Sequence, residues 1–269
     1  MSDEANDAFH ETYGPWAIVT GASYGVGAAW ADAIAAKGLG VVMVARKEAL
    51  LEDKASILRA RGAEVRTLAL DVLATDAINR LRECTADLEV GLVVQNVGGV
   101  KRDHGLFLDD SLEAIEGVIA INALVTARLV YEYAPAMRAR GRGGLVVVGS
   151  LSGMAGQPTE AAYSAAKAFE QVFCEAMWCE LRGDGVHVVS VPLGGTRTPG
   201  LASAQLGIDP ETIPTAEEVV AEAIEHIADG PVFVPVEANR RFFDKITRLP
   251  RREAAEAMER LAMRVARAN

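Results

Sequence analysis

Seven apolar runs, separated by helix-like stretches, constrain the fold of this chain more than any other feature. The runs are WAIVT from Trp16, GVVMVA from Gly40, EVRTLAL from Glu64, VGLVVQ from Val90, GLVVVGS from Gly144, VHVVSVP from Val186 and PVFVP from Pro231. Continuous apolar runs of this length are typical of strands that are buried on both faces. Their alternation with helices predicts an α/β fold, a doubly wound (Rossmann-type) parallel sheet of about seven strands.

The chain contains no repeat, low-complexity linker or shift in composition that would mark a domain boundary. Its 269 residues therefore predict one domain over residues 1–269, with a core at about 15–235. Residues 193–215 are rich in Gly, Pro, Thr and Ser, which predicts a long substrate or cofactor loop. Residues 238–268 predict two further helices. Packing of the last helix on the body of the protein or on a partner is favoured over a membrane surface.

Charge and cysteine content restrict the setting in which the protein works. A net charge of −10 argues against nucleic acid and anionic membranes as partners. The acidic N-terminal segment lacks the apolar core of a signal peptide, and no run of about 18 apolar residues could span a bilayer. Three cysteines and four isolated histidines offer neither a disulfide framework nor metal-ligand spacing. We therefore expect a cytoplasmic protein with no metal and with a small molecule as its substrate.

The first predicted strand runs into the glycine-rich turn TGASYGVG from Thr20, and a helix follows. Gly21, Gly25 and Gly27 have no Cβ, so the backbone there can turn tightly and approach a ligand closely. The free N–H groups and the dipole at the start of the helix favour a pyrophosphate. The alternative is a tight turn that binds nothing. The P-loop pattern of nucleotidases is absent.

The second predicted strand ends in Ala45 and Arg46, followed by Lys47. In dinucleotide-binding folds an acidic residue at this edge holds the ribose 2′-hydroxyl, whereas an arginine accommodates a 2′-phosphate. Because no acidic residue is present and a guanidinium matches a phosphate, NADP(H) is favoured over NAD(H), which stays an alternative. The competing interpretation is a solvated arginine at the start of the next helix.

Tyr163 and Lys167 are spaced four residues apart and share one face of a predicted helix. An ammonium beside a phenol stabilises the phenolate, which makes such a phenol a usable proton donor to a forming alkoxide. Ser150, at the end of the fifth predicted strand, could hydrogen-bond the substrate carbonyl. The alternative is that Ser150 only forms a turn at the strand end or caps a helix. Ser152 is the other serine that could bind the carbonyl. Asn122 lies within an apolar helical stretch, where it either holds a water or, as is favoured, satisfies a local backbone group.

In these motifs the chain resembles the short-chain dehydrogenase/reductase family, in its short one-domain subtype. The matching pieces are TGASYGVG from Thr20, Asp71-Val72, QNVG from Gln95, Asn122, Ser150 and YSAAK from Tyr163, in the family order and spacing over about residues 15–235. The resemblance implies an NADP(H)-dependent oxidoreductase that interconverts a ketone and a secondary alcohol by hydride transfer.

The same resemblance implies a role for each matching residue. Tyr163 is the general acid/base, and Lys167 lowers the pKa of Tyr163 and binds the nicotinamide ribose. Ser150 orients the substrate carbonyl, and Asn122 holds a relay water. The implied contacts of the cofactor's phosphate and ribose are Ser23, Tyr24 and Val26, and those of its adenine are Asp71 and Val72. For Asp71, the alternative is a residue that only shapes a turn. Asn96, Val97 and Gly98 are implied at the adenine ribose, and Gly194, Thr196 and Thr198 at the nicotinamide carboxamide and the diphosphate. Leu193, Gln95, Val97 and Tyr24 depart from the usual family pattern.

Two other functions stay open at this point: a cofactor-binding sensor without turnover, and a nucleotide-sugar epimerase or dehydratase. The complete catalytic set argues against the first, and the short chain and the glycine spacing argue against the second. Gly99, Met154, Leu201 and Leu206 suggest a partly apolar substrate pocket. Surplus apolar surface on the helices at Ser111–Tyr133 and after Tyr163 predicts a subunit interface, with burial under the C-terminal extension as the alternative. The family resemblance implies a homodimer or homotetramer formed through these helices.

Overall fold

The computed structural model describes residues 3–99, 106–198 and 212–268. Its strands are β1 (Trp16–Thr20), β2 (Gly40–Ala45), β3 (Val65–Ala69), β4 (Val90–Gln95), β5 (Gly143–Ser150) and β6 (Val186–Leu193). They form one parallel sheet in the order β3-β2-β1-β4-β5-β6. The predicted doubly wound α/β fold is thus confirmed.

The helices are α1 (Asp3–Tyr13), α2 (Gly25–Ala36), α3 (Glu48–Ala60), α4 (Ala77–Cys84), α5 (Leu112–Ile119), α6 (Val125–Arg140), α7 (Ala161–Leu181), α8 (Ala216–Ile224), α9 (Glu237–Thr247) and α10 (Arg251–Ala268). A π turn, Ala120–Leu124, joins α5 to α6. Short 3₁₀ turns lie at Phe107–Asp109, Leu151–Gly153, Arg182–Asp184 and Ile227–Asp229.

Alternate residues of each strand face two different helix layers. On β1, Ala17 and Val19 pack towards α2, α3 and α8, whereas Ile18 packs towards α4, α6 and α7. Both faces are therefore covered, which explains why the strands are apolar throughout. The run Leu112–Arg140 is long and apolar enough to cross a membrane by length and composition, a test that core helices of soluble proteins also pass. Here it packs against the sheet through Leu129 and Met137.

The prediction of a seventh strand at PVFVP was wrong. Only an isolated bridge joins this segment to β6, between Ser190 and Val232, with Phe233 N–H donating to the Ser190 carbonyl at 2.9 Å. Pro231 and Pro235 have no N–H group to donate, so a longer ladder cannot form.

A third apolar cluster lies beyond the carboxyl end of β5. It contains Leu151, Met154, Ile246 and Met258, and Arg251 of α10 donates to the Met154 carbonyl at 2.8 Å. For the last helix the sequence favoured packing on the body or on a partner. Packing on the body is observed over the part of α10 whose side chains are described.

Candidate active site

The residues predicted to form the site follow the carboxyl ends of the six strands. Gly21, Arg46, Asp71, Asn96, Ser150 and Gly194 lie at the ends of β1 to β6 in that order. The chain reverses its winding between β1 and β4, and in open parallel sheets ligands bind in the crevice that this reversal leaves. Asn96 closes the base of the crevice, because its side-chain amide donates to the Thr20 carbonyl at 2.9 Å.

The glycine-rich turn requires glycine at the three positions that the sequence singled out. Gly21 and Gly25 have φ angles of +70° and +59°, in the left-handed region that favours glycine. A Cβ on Gly27 would lie 2.2 Å from the Gly21 carbonyl oxygen, closer than atoms can approach. The turn therefore brings backbone N–H groups to the open start of α2, the arrangement that binds phosphate.

A cavity of about 320 Å³ lies above this turn. The predicted cofactor residues on its wall are Gly21, Ser23, Tyr24, Gly25, Val26, Gly27, Arg46, Asp71, Val72, Asn96, Val97, Gly98 and Thr198. Gly194 and Thr196 are not on the wall: Gly194 packs against Asn239 of α9, and the Thr196 hydroxyl donates to the Gly194 carbonyl at 3.2 Å. Ile121 and Lys47 also line the cavity, and no signal in the sequence marked Ile121.

Arg46 and Lys47 reach the cavity from the end of β2 and are solvent-exposed. Both are cations placed where β2 meets the ligand edge, so the cavity offers positive charge at this end. Asp71, at the end of β3, accepts a hydrogen bond from the Leu73 N–H at 3.0 Å, which is the turn role weighed as its alternative. It lines the cavity as well.

Asn122 is completely buried in the π turn between α5 and α6. Its side-chain amide donates to the Val118 carbonyl at 2.8 Å and to the Gly99 carbonyl at 3.0 Å, and its Oδ1 accepts from the Gly99 N–H at 3.3 Å. The favoured interpretation, in which the amide satisfies backbone groups, is what the structure shows. These bonds tie the segment after β4 to the widened helix turn.

Tyr163 and Lys167 lie on one face of α7, with the Lys167 Nζ 5.8 Å from the centroid of the Tyr163 ring. Lys167 is buried, and its Nζ donates to the Val148 carbonyl of β5 at 3.1 Å. The same Nζ contacts both carboxylate oxygens of Glu170, at 2.8 and 3.1 Å. Sequence reasoning missed Glu170, because a carboxylate three residues after a lysine is ordinarily a solvated pair on a helix surface.

Ser150 caps the 3₁₀ turn Leu151–Gly153, since its Oγ accepts from the Ser152 N–H at 3.1 Å. The cap role weighed as the alternative is therefore filled. Within the described residues the Ser150 hydroxyl has no acceptor, so its proton remains available to a ligand. The rival, Ser152, is already engaged by Gln157 and Glu160, at 3.3 and 3.2 Å.

A narrow cleft opens beside Tyr163. Its walls are Phe107, Asp110, Ala114, Ile115, Val118, Thr159, Glu160, Ala161 and Ala162. Most of these side chains are apolar, in line with the predicted pocket character. Thr159 has a φ of +68°, in the left-handed region, a conformation that costs a β-branched residue about 1–2 kcal/mol.

The residues expected to wall the pocket need one correction. Met154 does not face this cleft; it is buried in the apolar cluster beneath α9 and α10. Leu201 and Leu206 lie outside the described residues, as does most of the 193–215 loop.

Comparisons with known proteins agree with this fold. The sequence profile described as short chain dehydrogenase matches residues 15–207. A 7beta-hydroxysteroid dehydrogenase of Clostridium sardiniense is 31% identical over 236 residues, which are 86% of this chain and 89% of that protein.

Two solved structures share the fold over most of their length. A structure reported for 7beta-hydroxysteroid dehydrogenase stereoselectivity has a TM-score of 0.84 and 30% identity, covering 93% of this chain and 98% of that chain. A short-chain dehydrogenase from Sphingobium yanoikuyae in complex with NADPH has a TM-score of 0.76 and 30% identity, covering 86% of this chain and 92% of that one.

Proposed function

The chain belongs to the short-chain dehydrogenase/reductase family, and from this premise we propose that it is an NADP(H)-dependent oxidoreductase that interconverts a ketone and a secondary alcohol. The observation that carries the proposal is the position of Gly98. This residue lines the cavity above the glycine turn, and a Cβ on it would lie 3.2 Å from the Lys167 Nζ. The cavity suited to a dinucleotide therefore ends at the residues suited to proton transfer.

The cofactor, when bound, supplies or accepts the hydride. The chain's own residues handle the proton and the orientation of the substrate. Tyr163 donates its hydroxyl proton to the substrate oxygen during reduction and removes it during oxidation. The Lys167 ammonium stabilises the phenolate that this leaves, and the Ser150 hydroxyl donates a hydrogen bond to the same substrate oxygen.

Asn122 contributes by holding the backbone around the reacting groups. Its bonds to Gly99 set the course of the segment that starts at Gly98, and so set the distance between the cavity and Lys167. We propose this positioning as its main role, alongside the relay water that the family resemblance implies.

NADP(H) is the preferred cofactor in this proposal. Gly21, Gly25 and Gly27 leave room for a pyrophosphate at the start of α2, and Arg46 and Lys47 place two cations where a 2′-phosphate would lie. The relative from Sphingobium yanoikuyae, which is 30% identical, was solved in complex with NADPH.

The substrate is proposed to be a bulky, mainly apolar ketone or the matching alcohol. Phe107, Ile115 and Val118 line the narrow cleft beside Tyr163, which holds only about 20 Å³, so the cleft indicates the apolar character of the substrate and not its size. The hydroxysteroid dehydrogenases among the relatives support a steroid-like substrate class.

Two further proposals concern the setting. Apolar side chains remain exposed on the helices named as an interface, among them Tyr131 at 84% and Val172 at 62% exposure. We propose that they join a homodimer or homotetramer. The three cysteines are free, in keeping with the proposed cytoplasmic location.

Substitution of Tyr163 by Phe tests the proposal. Wild-type protein should oxidise NADPH when members of a panel of steroidal and aliphatic ketones are added, as followed by absorbance. With NADH in place of NADPH, the kcat/KM for the cofactor should be lower. Tyr163→Phe should reduce kcat by at least about 100-fold, because no proton donor remains, and should leave NADPH affinity within about twofold.

Affinity for NADPH, measured by fluorescence, separates the outcomes. Tight binding with no reduction of any ketone would favour the sensor function instead. Full turnover by Tyr163→Phe would remove Tyr163 from the mechanism.

A further inference from the structure

We propose that Glu170 is a positioning residue, whose buried carboxylate holds the Lys167 ammonium and partly cancels its charge, and so sets how readily Tyr163 gives up its proton. The inference rests on the proposed function of Tyr163 and Lys167, and it adds a third member to that pair.

The geometry around Glu170 is that of a dedicated ion pair. Glu170 is 0% exposed, and its two oxygens lie 2.8 and 3.1 Å from the Lys167 Nζ. The Val148 carbonyl of β5 supplies the third acceptor of the ammonium. Within the described part of the chain, the carboxylate has no other hydrogen-bond donor. Glu170 therefore serves Lys167 alone.

Packing does not explain a carboxylate at this position. Its neighbours on the same face of α7, Ala166 and Cys174, are buried with it, and an apolar side chain would fill the space without any loss of hydration. Burying a carboxylate is costly unless a partner is present, and such buried pairs add little to stability. A role in the chemistry of Lys167 accounts for its presence.

The pair has a charge that changes near neutral pH. Burial raises the pKa of the Glu170 carboxyl to about 7, although the Lys167 ammonium acts in the opposite direction. Below this pH the pair carries one positive charge, and above it the pair is neutral overall. The electrostatic help that Lys167 gives to the Tyr163 phenolate is therefore greatest when Glu170 is protonated or absent.

The other charged side chains beside Tyr163 among the described residues, Asp110 and Glu160 in the wall of its cleft, are the same in wild type and in the Glu170 variants. Lys167 is the one charged side chain in the described structure that affects the pKa of Glu170. The neighbouring polar groups on β5 and in the π turn, the Val148 carbonyl and the Asn122 amide, carry no charge. Cys174, one turn along α7, stays a neutral thiol because burial raises its pKa.

The pH profile of alcohol oxidation tests the proposal, because oxidation requires deprotonated Tyr163. In Glu170→Gln, the rising limb of kcat/KM should move to lower pH by about one pH unit, as expected for removal of a charge roughly 10 Å away at an effective dielectric constant of about 20. Wild type and variant should converge below about pH 6, where Glu170 is already protonated. A residue that only supports packing would lower the profile without shifting it.

Glu175→Gln is the matched control. It removes an equal charge from the same helix, at a residue that contacts Gln171 and lies eight positions from Lys167. Its profile should keep the wild-type shape. A rising limb that lies at the same pH in Glu170→Gln and in wild type would overturn the proposal.

A second measurement needs neither substrate nor turnover. Ultraviolet absorbance reports tyrosinate formation, and subtraction of a Tyr163→Phe background isolates Tyr163 from the four other tyrosines. The midpoint for Tyr163 should fall in Glu170→Gln; an unmoved midpoint would refute the role of Glu170 even if no substrate is ever found. Should Glu170→Gln fail to fold, Glu170→Met, which also removes the charge and fills the buried space, should show a shift in the same direction, and no shift would count against the proposal.

Discussion

At the scale of single residues, the site is organised around Gly98. A Cβ there would lie 2.6 Å from the Asn122 Oδ1 and 3.2 Å from the Lys167 Nζ. The absence of a side chain thus lets the segment after β4 pass between the cavity and the two polar residues. Gly99, the next residue, has nothing within 4 Å of a Cβ placed on it.

We expect Gly98→Ala to reduce kcat/KM by at least about 100-fold. The added methyl group displaces Asn122 or Lys167, and a displacement of about 1 Å near reacting groups costs activity of this order. Steady-state kinetics, with circular dichroism to verify the fold, would measure the effect.

Gly99→Ala is the matched control, because it adds the same methyl group into open space and keeps the backbone groups that bond Asn122. It should retain activity within about threefold. Equal losses in the two variants would contradict the steric argument.

Residue types at the strand ends could be predicted from the sequence, because each has a local cause. The backbone conformation of the turn requires glycine at Gly21 and Gly25. On α7, the four-residue spacing of Tyr163 and Lys167 indicated that they share one face of the helix. Glu170 and Ile121 could not be found in this way. Their position depends on which side of a helix is covered by the sheet, and amphipathic patterns do not resolve this for helices that are apolar around more than half of their surface.

At the scale of elements, the six observed strands begin and end within about one or two residues of the predicted runs, because burial on both faces leaves an uninterrupted apolar signal. The π turn at Ala120–Leu124 was read as continuous helix, since a single extra residue in a helix leaves no periodic mark. Helix α1 was not predicted either. Most residues of α1 are polar, so its sequence gives little apolar signal. The helix is held on the body by tertiary contacts of Phe9 and Tyr13.

One of these contacts makes the docking of α1 sensitive to acid. The Tyr13 hydroxyl lies 2.6 Å from the His187 Nδ1 of β6, and burial lowers the pKa of His187 below its usual 6.5. The folded state therefore binds fewer protons than the unfolded state in mildly acidic solution, so this stabilisation is present above about pH 6.5 and is lost as the pH falls towards the lower, folded-state pKa.

We therefore expect the free energy of unfolding to fall between about pH 7.5 and pH 5.5, and to fall less in His187→Gln, which cannot take up the proton. Urea unfolding of both proteins at the two pH values measures the difference. An identical pH dependence in the two proteins would show that His187 does not contribute.

At the scale of the whole molecule, the C-terminal helices pack beside the edge of the sheet that carries the candidate site. They cover Leu151 and Met154, which lie one and four residues after Ser150, and so fix the 3₁₀ turn that Ser150 caps. Gly153 in that turn packs so closely on α7 that a Cβ would lie 2.7 Å from the Lys167 carbonyl carbon. The extension is thereby linked to both Ser150 and Lys167 through packed contacts.

This linkage predicts that Met258, 1% exposed in α10, matters far more than Met263, 46% exposed on the same helix. Met258→Ala leaves a cavity in the cluster and should lower the free energy of unfolding by about 2–4 kcal/mol, as measured by urea denaturation. Met263→Ala makes the same chemical change at the surface and should stay within about 0.5 kcal/mol of wild type. Because the cavity lies beneath the turn that holds Ser150, Met258→Ala should also reduce kcat several-fold under conditions where the variant is fully folded. Stability losses of equal size in the two variants would mean that α10 does not pack on the body in solution.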